Sequence, residues 1–125
     1  MRLSAVAFVP AAFFAVAALG QPWRTPPDNF GGAVPLNRNE WYNFNDYPTS
    51  AVSGGEEGYV TVSFTIGTDG HMSDCRVVRS SHYPDLDAVP CKVLPKRARF
   101  SPAHDGSGAP IITQGTASMA FWTAG

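Results

Sequence analysis

Val60-Thr61-Val62-Ser63-Phe64-Thr65-Ile66-Gly67-Thr68-Asp69-Gly70 is the stretch from which the rest of the chain can be placed. Val60, Val62, Phe64 and Ile66 alternate with Thr61, Ser63 and Thr65, and this period of two marks a strand buried on one face. Thr68-Asp69-Gly70 supplies a turn with glycine for the positive φ, and Met72 to Ser80 resumes an extended pattern, so the two arms form an antiparallel hairpin. Cys75 and Val77 share one face of the second arm.

Working outward toward the C-terminus, Leu86, Val89, Leu94 and Ala98 mark a helix for which Asp85 and Asp87 are both candidate N-caps. With Asp87 as cap, Pro90 falls at the third helical position, where no intrahelical donor is lost. Pro95 limits the helix to about two turns and leaves Lys96 to Arg99 irregular. A polar turn from His104 to Pro110 precedes the last strand, read from Ile111 to Phe121 with Ala117, Met119 and Phe121 on one face. Gly115 weakens its middle and marks either a bulge or a close approach by another backbone. Toward the N-terminus, Pro48 suits the first position of a short helix at Thr49 to Ser53, which Gly54-Gly55 stops. Trp41, Tyr42, Phe44 and Tyr47 carry more apolar surface than a loop leaves in water, so several should pack on the domain. The expectation is an α+β fold in the order (α)ββαβ: a small three-stranded antiparallel sheet with helices packed on one face.

The chain has 125 residues, 44% hydrophobic and 15% charged, with a formal charge of -1, which allows one domain and gives no basic field for nucleic acid or anionic lipid. Residues 1–20 read as a secretory signal, with Arg2 before an apolar stretch from Ala5 to Leu19 and small residues at Ala18 and Gly20. The alternative is a retained membrane anchor, against which the stretch is short and interrupted by Pro10. Residues 21–40, rich in Pro, Gly and Asn, read as a flexible tether, and 41–125 as the domain. In an exported protein, Cys75 and Cys91 are expected to be bridged rather than two buried thiols.

The chemistry-bearing residue types do not assemble into a catalytic or metal-binding set. Ser81 and His82 are strand neighbours that point to opposite faces, His71, His82 and His104 lack ligand spacing, and Gly54 to Gly58 lacks the Lys-Ser/Thr of a phosphate loop. No enzyme, cofactor or metal is expected. Lys92, Lys96, Arg97 and Arg99 form a basic cluster read first as a solvated helix end, or else as a dock for acidic groups of a partner.

From Asp46 to Phe121 these features, taken in order, resemble the TonB C-terminal domain: Tyr47-Pro48, the alternating strand, Asp69-Gly70, Ser80-Ser81, Leu86-Asp87, Arg99-Phe100-Ser101-Pro102-Ala103, Gly108 and Pro110. The cysteine pair is similar to that of a subgroup with one Cys on the second strand and one on the helix. The resemblance implies a non-catalytic domain that adds a short strand of an outer-membrane receptor, or of another envelope protein, to its last strand. The implied contact residues are Ile111, Ile112, Thr113, Gln114, Gly115, Thr116 and Ala117, with further contacts from Tyr47, Pro48, Arg97 and Arg99. An inner-membrane motor protein is an implied partner only if the N-terminus is retained, and residues 4–20 carry no ionisable residue to meet it. Gln21 to Asn45 would reach only about 80 Å at the polyproline rise. The alternative is a stand-alone periplasmic module that self-associates or binds partners without transducing energy.

Overall fold

In the computed structural model, which describes residues 25–122, the elements run β1 (Val34–Pro35), α1 (Thr49–Ser53), β2 (Gly58–Ile66), β3 (Met72–Arg79), α2 (Pro84–Asp87), α3 (Pro90–Arg97), β4 (Phe100–Ser101), β5 (Ala103–His104), β6 (Pro110–Ile111) and β7 (Thr113–Phe121). The segment expected to be a signal or anchor lies outside the described residues, among which no helix is long and apolar enough to cross a membrane. The α+β reading holds: β2 is the middle of a three-stranded antiparallel sheet of order β3-β2-β7. Val60, Val62, Phe64 and Ile66 all point inward and are buried, as their alternation requires. Leu86, Val89, Leu94 and Ala98 cover them from the helical side. On the other face of the sheet, Thr61 and Ser118 exchange a hydroxyl hydrogen bond of 2.8 Å.

Neither aspartate caps the helix. Pro90 has no N–H to give the Leu86 carbonyl, so the helical ladder breaks there into a single turn, α2, and the two-turn α3, with Pro84 and Pro90 as first residues. Asp87 instead accepts from the Ser81 N–H at 2.8 Å and the Ser81 hydroxyl at 2.7 Å, tying the end of β3 to α2. Lys96 and Arg97, expected to be irregular, belong to α3, which tolerates Pro95 and ends at Ala98. Cys75 and Cys91 form the expected disulfide, with Cα atoms 5.4 Å apart, joining β3 to α3.

The residues read as a tether are bound to the domain from Asn29 onward. Phe30 is the physical reason, because its ring packs 5.9 Å from Trp41, 5.2 Å from Phe100 and 6.3 Å from Phe64. Gly31 and Gly32, at φ 63° and 103°, let the chain turn close against β7 and Ala103. Val34 and Pro35 then pair with Ser101 and Phe100. Asn37 completes the attachment: its amide donates to the Arg97 carbonyl at 2.7 Å, and its side-chain oxygen accepts from the Arg99 N–H and the Trp41 indole, each at 3.0 Å. A carbonyl left orphaned at the end of α3 is thereby satisfied.

The last strand also differs from its reading. Pro110 and Ile111 pair with His104 and Ala103 in a separate short ladder, Ile112 is exposed between the two, and the main-sheet strand begins at Thr113. Gly115 carries no bulge, since β2 and β7 pair without interruption from Gly58–Phe121 to Ile66–Thr113. It is a site of close approach: a Cβ there would lie 2.6 Å from the Phe64 ring and 3.2 Å from the Asn29 carbonyl.

Candidate functional site

A three-stranded sheet has two edges, and they are built differently. Pairing of β3 with β2 shifts register twice, between Thr61 and Val62 and between Ser63 and Thr65, and Asp74 sits at φ 52° within the second shift. Arg76 and Arg79 stand exposed along the same strand, with the Arg79 guanidinium 5.2 Å from the Tyr59 ring. Bulges and charges of this kind blunt an edge against pairing. The β7 edge is regular along its whole length and is the candidate docking surface.

Part of this edge is already paired within the domain. Asn29 and Thr116 exchange backbone hydrogen bonds of 3.0 and 2.7 Å, so the outward groups of Thr116 are already paired. The Thr113 hydroxyl donates to the Phe30 carbonyl at 3.1 Å, the Gln114 amide donates to Thr65 at 3.1 Å, and Ala117 is buried on the inner face. Ile111 belongs to the neighbouring short ladder. Since Thr116 faces outward, antiparallel alternation turns the N–H and C=O of Ser118 and Ala120 outward as well. No backbone hydrogen bond from the described residues reaches them on that side. Past the Asn29 bridge, Ser118 to Trp122 is the longest stretch of the edge whose outward groups no described residue pairs. Ser118 to Phe121 falls within the strand read from the sequence, beyond the individual contacts named up to Ala117, and Gln114 on the other side of the bridge also keeps its outward groups.

Tyr47 lies beside this edge. A hollow of about 280 Å³ opens there, lined by Tyr42, Phe44, Tyr47, Met119, Phe121 and Trp122. The Tyr47 ring stacks edge-on to Phe121 at 5.5 Å and to Phe44 at 5.8 Å, while Phe44 itself is 67% exposed. The Tyr47 hydroxyl donates to the Glu56 carbonyl, and burial raises its pKa. Pro48 lies on the other side of the turn, in a groove of about 460 Å³ with Lys92 and Lys96.

The two arginines named as contacts are engaged within the fold. Arg97 donates to both Asp46 oxygens at 2.7 and 3.0 Å and to the Trp41 carbonyl at 3.3 Å. That guanidinium holds the Asp46 carboxyl below its ordinary range. Arg99 donates to its neighbour's carbonyl, Ala98, at 2.8 Å. Lys92 and Lys96 are the exposed cations of this cluster.

A statistical description of the Gram-negative bacterial TonB protein C-terminal family matches residues 43–122. The chain belongs to this family. The TonB protein of Helicobacter pylori is 38% identical over 61 residues, covering 49% of this chain and 22% of its own length, so the chain spans about a fifth of that relative. The solution structure of the Pseudomonas aeruginosa TonB C-terminal domain matches with a TM-score of 0.58 at 30% identity, over 76% of this chain and 90% of that one. The segment from Asn29 to Leu36, which closes one end of the β7 edge, precedes the residues matched to the TonB C-terminal family.

Behind the Tyr47-Pro48 turn of this TonB-type domain, Glu56 and Asp85 share a carboxyl contact. Its hydrogen bond to Asp85, then burial, raise the Glu56 pKa, while the same bond and the Ser50 hydroxyl at 2.9 Å lower that of Asp85. The Glu56 Oε1 is buried and has no hydrogen-bond partner among the described residues. A raised carboxyl pKa favours the folded state at low pH, and that contribution is lost as pH rises from the unfolded pKa through the higher folded value. Glu56→Gln copies the protonated form. It is expected to raise the melting temperature at pH 7, with the gain shrinking as the pH falls below the carboxylate range. A Tm difference that does not change with pH would mean the two groups do not share a proton.

Proposed function

We propose that this domain docks an extended segment of an outer-membrane receptor, or of another envelope protein, by strand addition at the β7 edge from Ser118 to Trp122, in support of energy-coupled transport. The observation that carries the reading is the contrast between the edges: β3 is bulged and bears arginines, while β7 is regular and has outward groups at Ser118 and Ala120 that no described residue pairs. Main-chain pairing gives affinity that tolerates varied partner sequences, and the hollow at Tyr42, Phe44 and Tyr47 receives an apolar side chain from the inner face of the added strand. The site lies in the periplasm on this reading. Contact with an inner-membrane motor would fall to residues 1–20, if these are retained.

Ala120→Pro is the test. The Ala120 N–H faces away from β2, so proline removes a docking donor without breaking the β2–β7 ladder. The variant is expected to fold with a melting temperature close to that of the unmodified chain and to lose receptor-dependent uptake in its own host. Uptake at the unmodified level, with the protein present in equal amount, would remove this edge as the docking surface. If uptake is unaffected and only concentration-dependent self-association in sedimentation is lost, the edge serves the stand-alone module instead.

A further inference from the structure

Residues 43–48 separate two depressions. Asn43, Phe44 and Tyr47 line the hollow beside β7, whereas Asn45, Asp46 and Pro48 line the groove of about 460 Å³, which includes no residue of β7. Pro48, Ala88, Val89 and Val93 give this groove an apolar lining, to which Asp46, Asp85, Lys92, Lys96 and Arg97 add charge. The carboxylates are engaged within the fold. Asp46 accepts from Arg97 twice and from the Asn43 N–H at 2.8 Å, and Asp85 accepts from the Ser50 hydroxyl and shares its contact with Glu56. Arg97 is likewise taken up by Asp46. Lys92 and Lys96 remain, both exposed, and neither side chain has an ion-pair partner among the described residues.

Helix stability does not account for both lysines. Lys96 sits in the last turn of α3, where a cation suits the helix dipole, but Lys92 is the third residue of Pro90–Arg97, in the first turn, where the dipole opposes it. Four positions apart, the two share a helix face with Cβ atoms about 6 Å from each other. Alternate residues of an extended chain also share a face, at a spacing of about 7 Å. We infer that this groove binds an acidic segment of a partner protein, with alternate carboxylates on Lys92 and Lys96 and an apolar side chain among Pro48, Val89 and Val93. Charge complementarity selects the occupant, because the groove's own carboxylates are already bonded and its two free charges are positive. The surface is separate from the β7 edge, and the inference does not rest on the docking reading above.

Titration of the full chain with a capped hexapeptide of alternating aspartate and leucine, followed by amide chemical shifts, tests the groove. Shifts are expected at Ala88, Val89, Lys92, Val93 and Lys96. The double variant Lys92→Gln with Lys96→Gln should melt close to the unmodified chain, since both side chains are exposed, and should bind the peptide about tenfold more weakly, the range that two exposed ion pairs supply together. Lys92→Arg with Lys96→Arg should retain binding, and added salt should weaken it in both the arginine variant and the unmodified chain. No shift in the groove at millimolar peptide would overturn the inference. So would equal shifts from a lysine-leucine hexapeptide, from inorganic phosphate, or in the glutamine variant. Shifts confined to residues 118–122 would overturn it too, by placing the peptide on the β7 edge instead.

Discussion

Replacing Trp41 by alanine is expected to lower the unfolding free energy by about 3–5 kcal/mol, the cost of emptying a large aromatic site in a core. Trp41 is fully buried, with its ring 5.9 Å from Phe30 and 5.4 Å from Phe100, and the Arg38 guanidinium 4.4 Å over it. Three attachments meet at this residue. Its ring packs on the segment before the sheet, its indole N–H donates to Asn37, and its carbonyl accepts from Arg97. Alanine keeps only the last, so the loss should exceed the transfer term for the ring alone and should loosen Phe30 with it. Urea unfolding checks this by a lower midpoint at unchanged slope. Trp41→Phe separates the contributions: it keeps most of the packing, loses the hydrogen bond to Asn37, and should cost about 1 kcal/mol beyond its smaller volume. An alanine variant within about 1 kcal/mol of the unmodified chain would mean that the N-terminal segment packs independently of Trp41.

The parts of the fold that were legible in the sequence are those governed by local physics. The period of two from Val60 to Ile66, the Gly70 turn, the Thr49–Ser53 helix and its stop at Gly54 depend on neighbouring residues alone, and each stands where it was read. Gly70 shows how a local signal can carry a further constraint, because a Cβ there would lie 2.1 Å from the Phe100 carbonyl oxygen. The misreadings share a cause: they depend on contacts between residues far apart in the chain. Asn29 to Leu36 has no periodicity and reads as a tether, but a single phenylalanine and two glycines at positive φ suffice to bind it to the core. Arg97 looked like an available cation because its partner, Asp46, is 51 positions away. The candidate site suffered in the same way. Strand β7 was identified as the docking edge, and Tyr47 was named as a further contact. Which half of its edge is already paired depends on Asn29, 87 positions from Thr116 by number and adjacent to it in space.

Removing the disulfide, as Cys75→Ala with Cys91→Ala or by reduction, is expected to destabilise the domain by about 3 kcal/mol, given its separation of 16 residues. For a domain of this size that corresponds to a fall in melting temperature of roughly 12 °C or more. The damage should be local before it is global. Helix α3 has only two turns and contains Pro95, so it cannot persist as an isolated helix and depends on its attachments to the sheet. Leu94 is one attachment, the sulfur bridge to β3 a second, and the Arg97 contact with Asp46 a third. With the bridge gone, the helix can lift at its N-terminal end, and amides from Lys92 to Arg97 should exchange faster than those of β2 and β7. Strands β2 and β7 are joined by an unbroken ladder, and neither carries a cysteine. A melting temperature unchanged by reduction would mean that Leu86, Leu94 and the Arg97 contact hold the helical layer without the bridge. A uniform rise in exchange across β2, β7 and α3 would instead mean that the sheet and helix unfold as one unit and that the bridge acts on the whole domain.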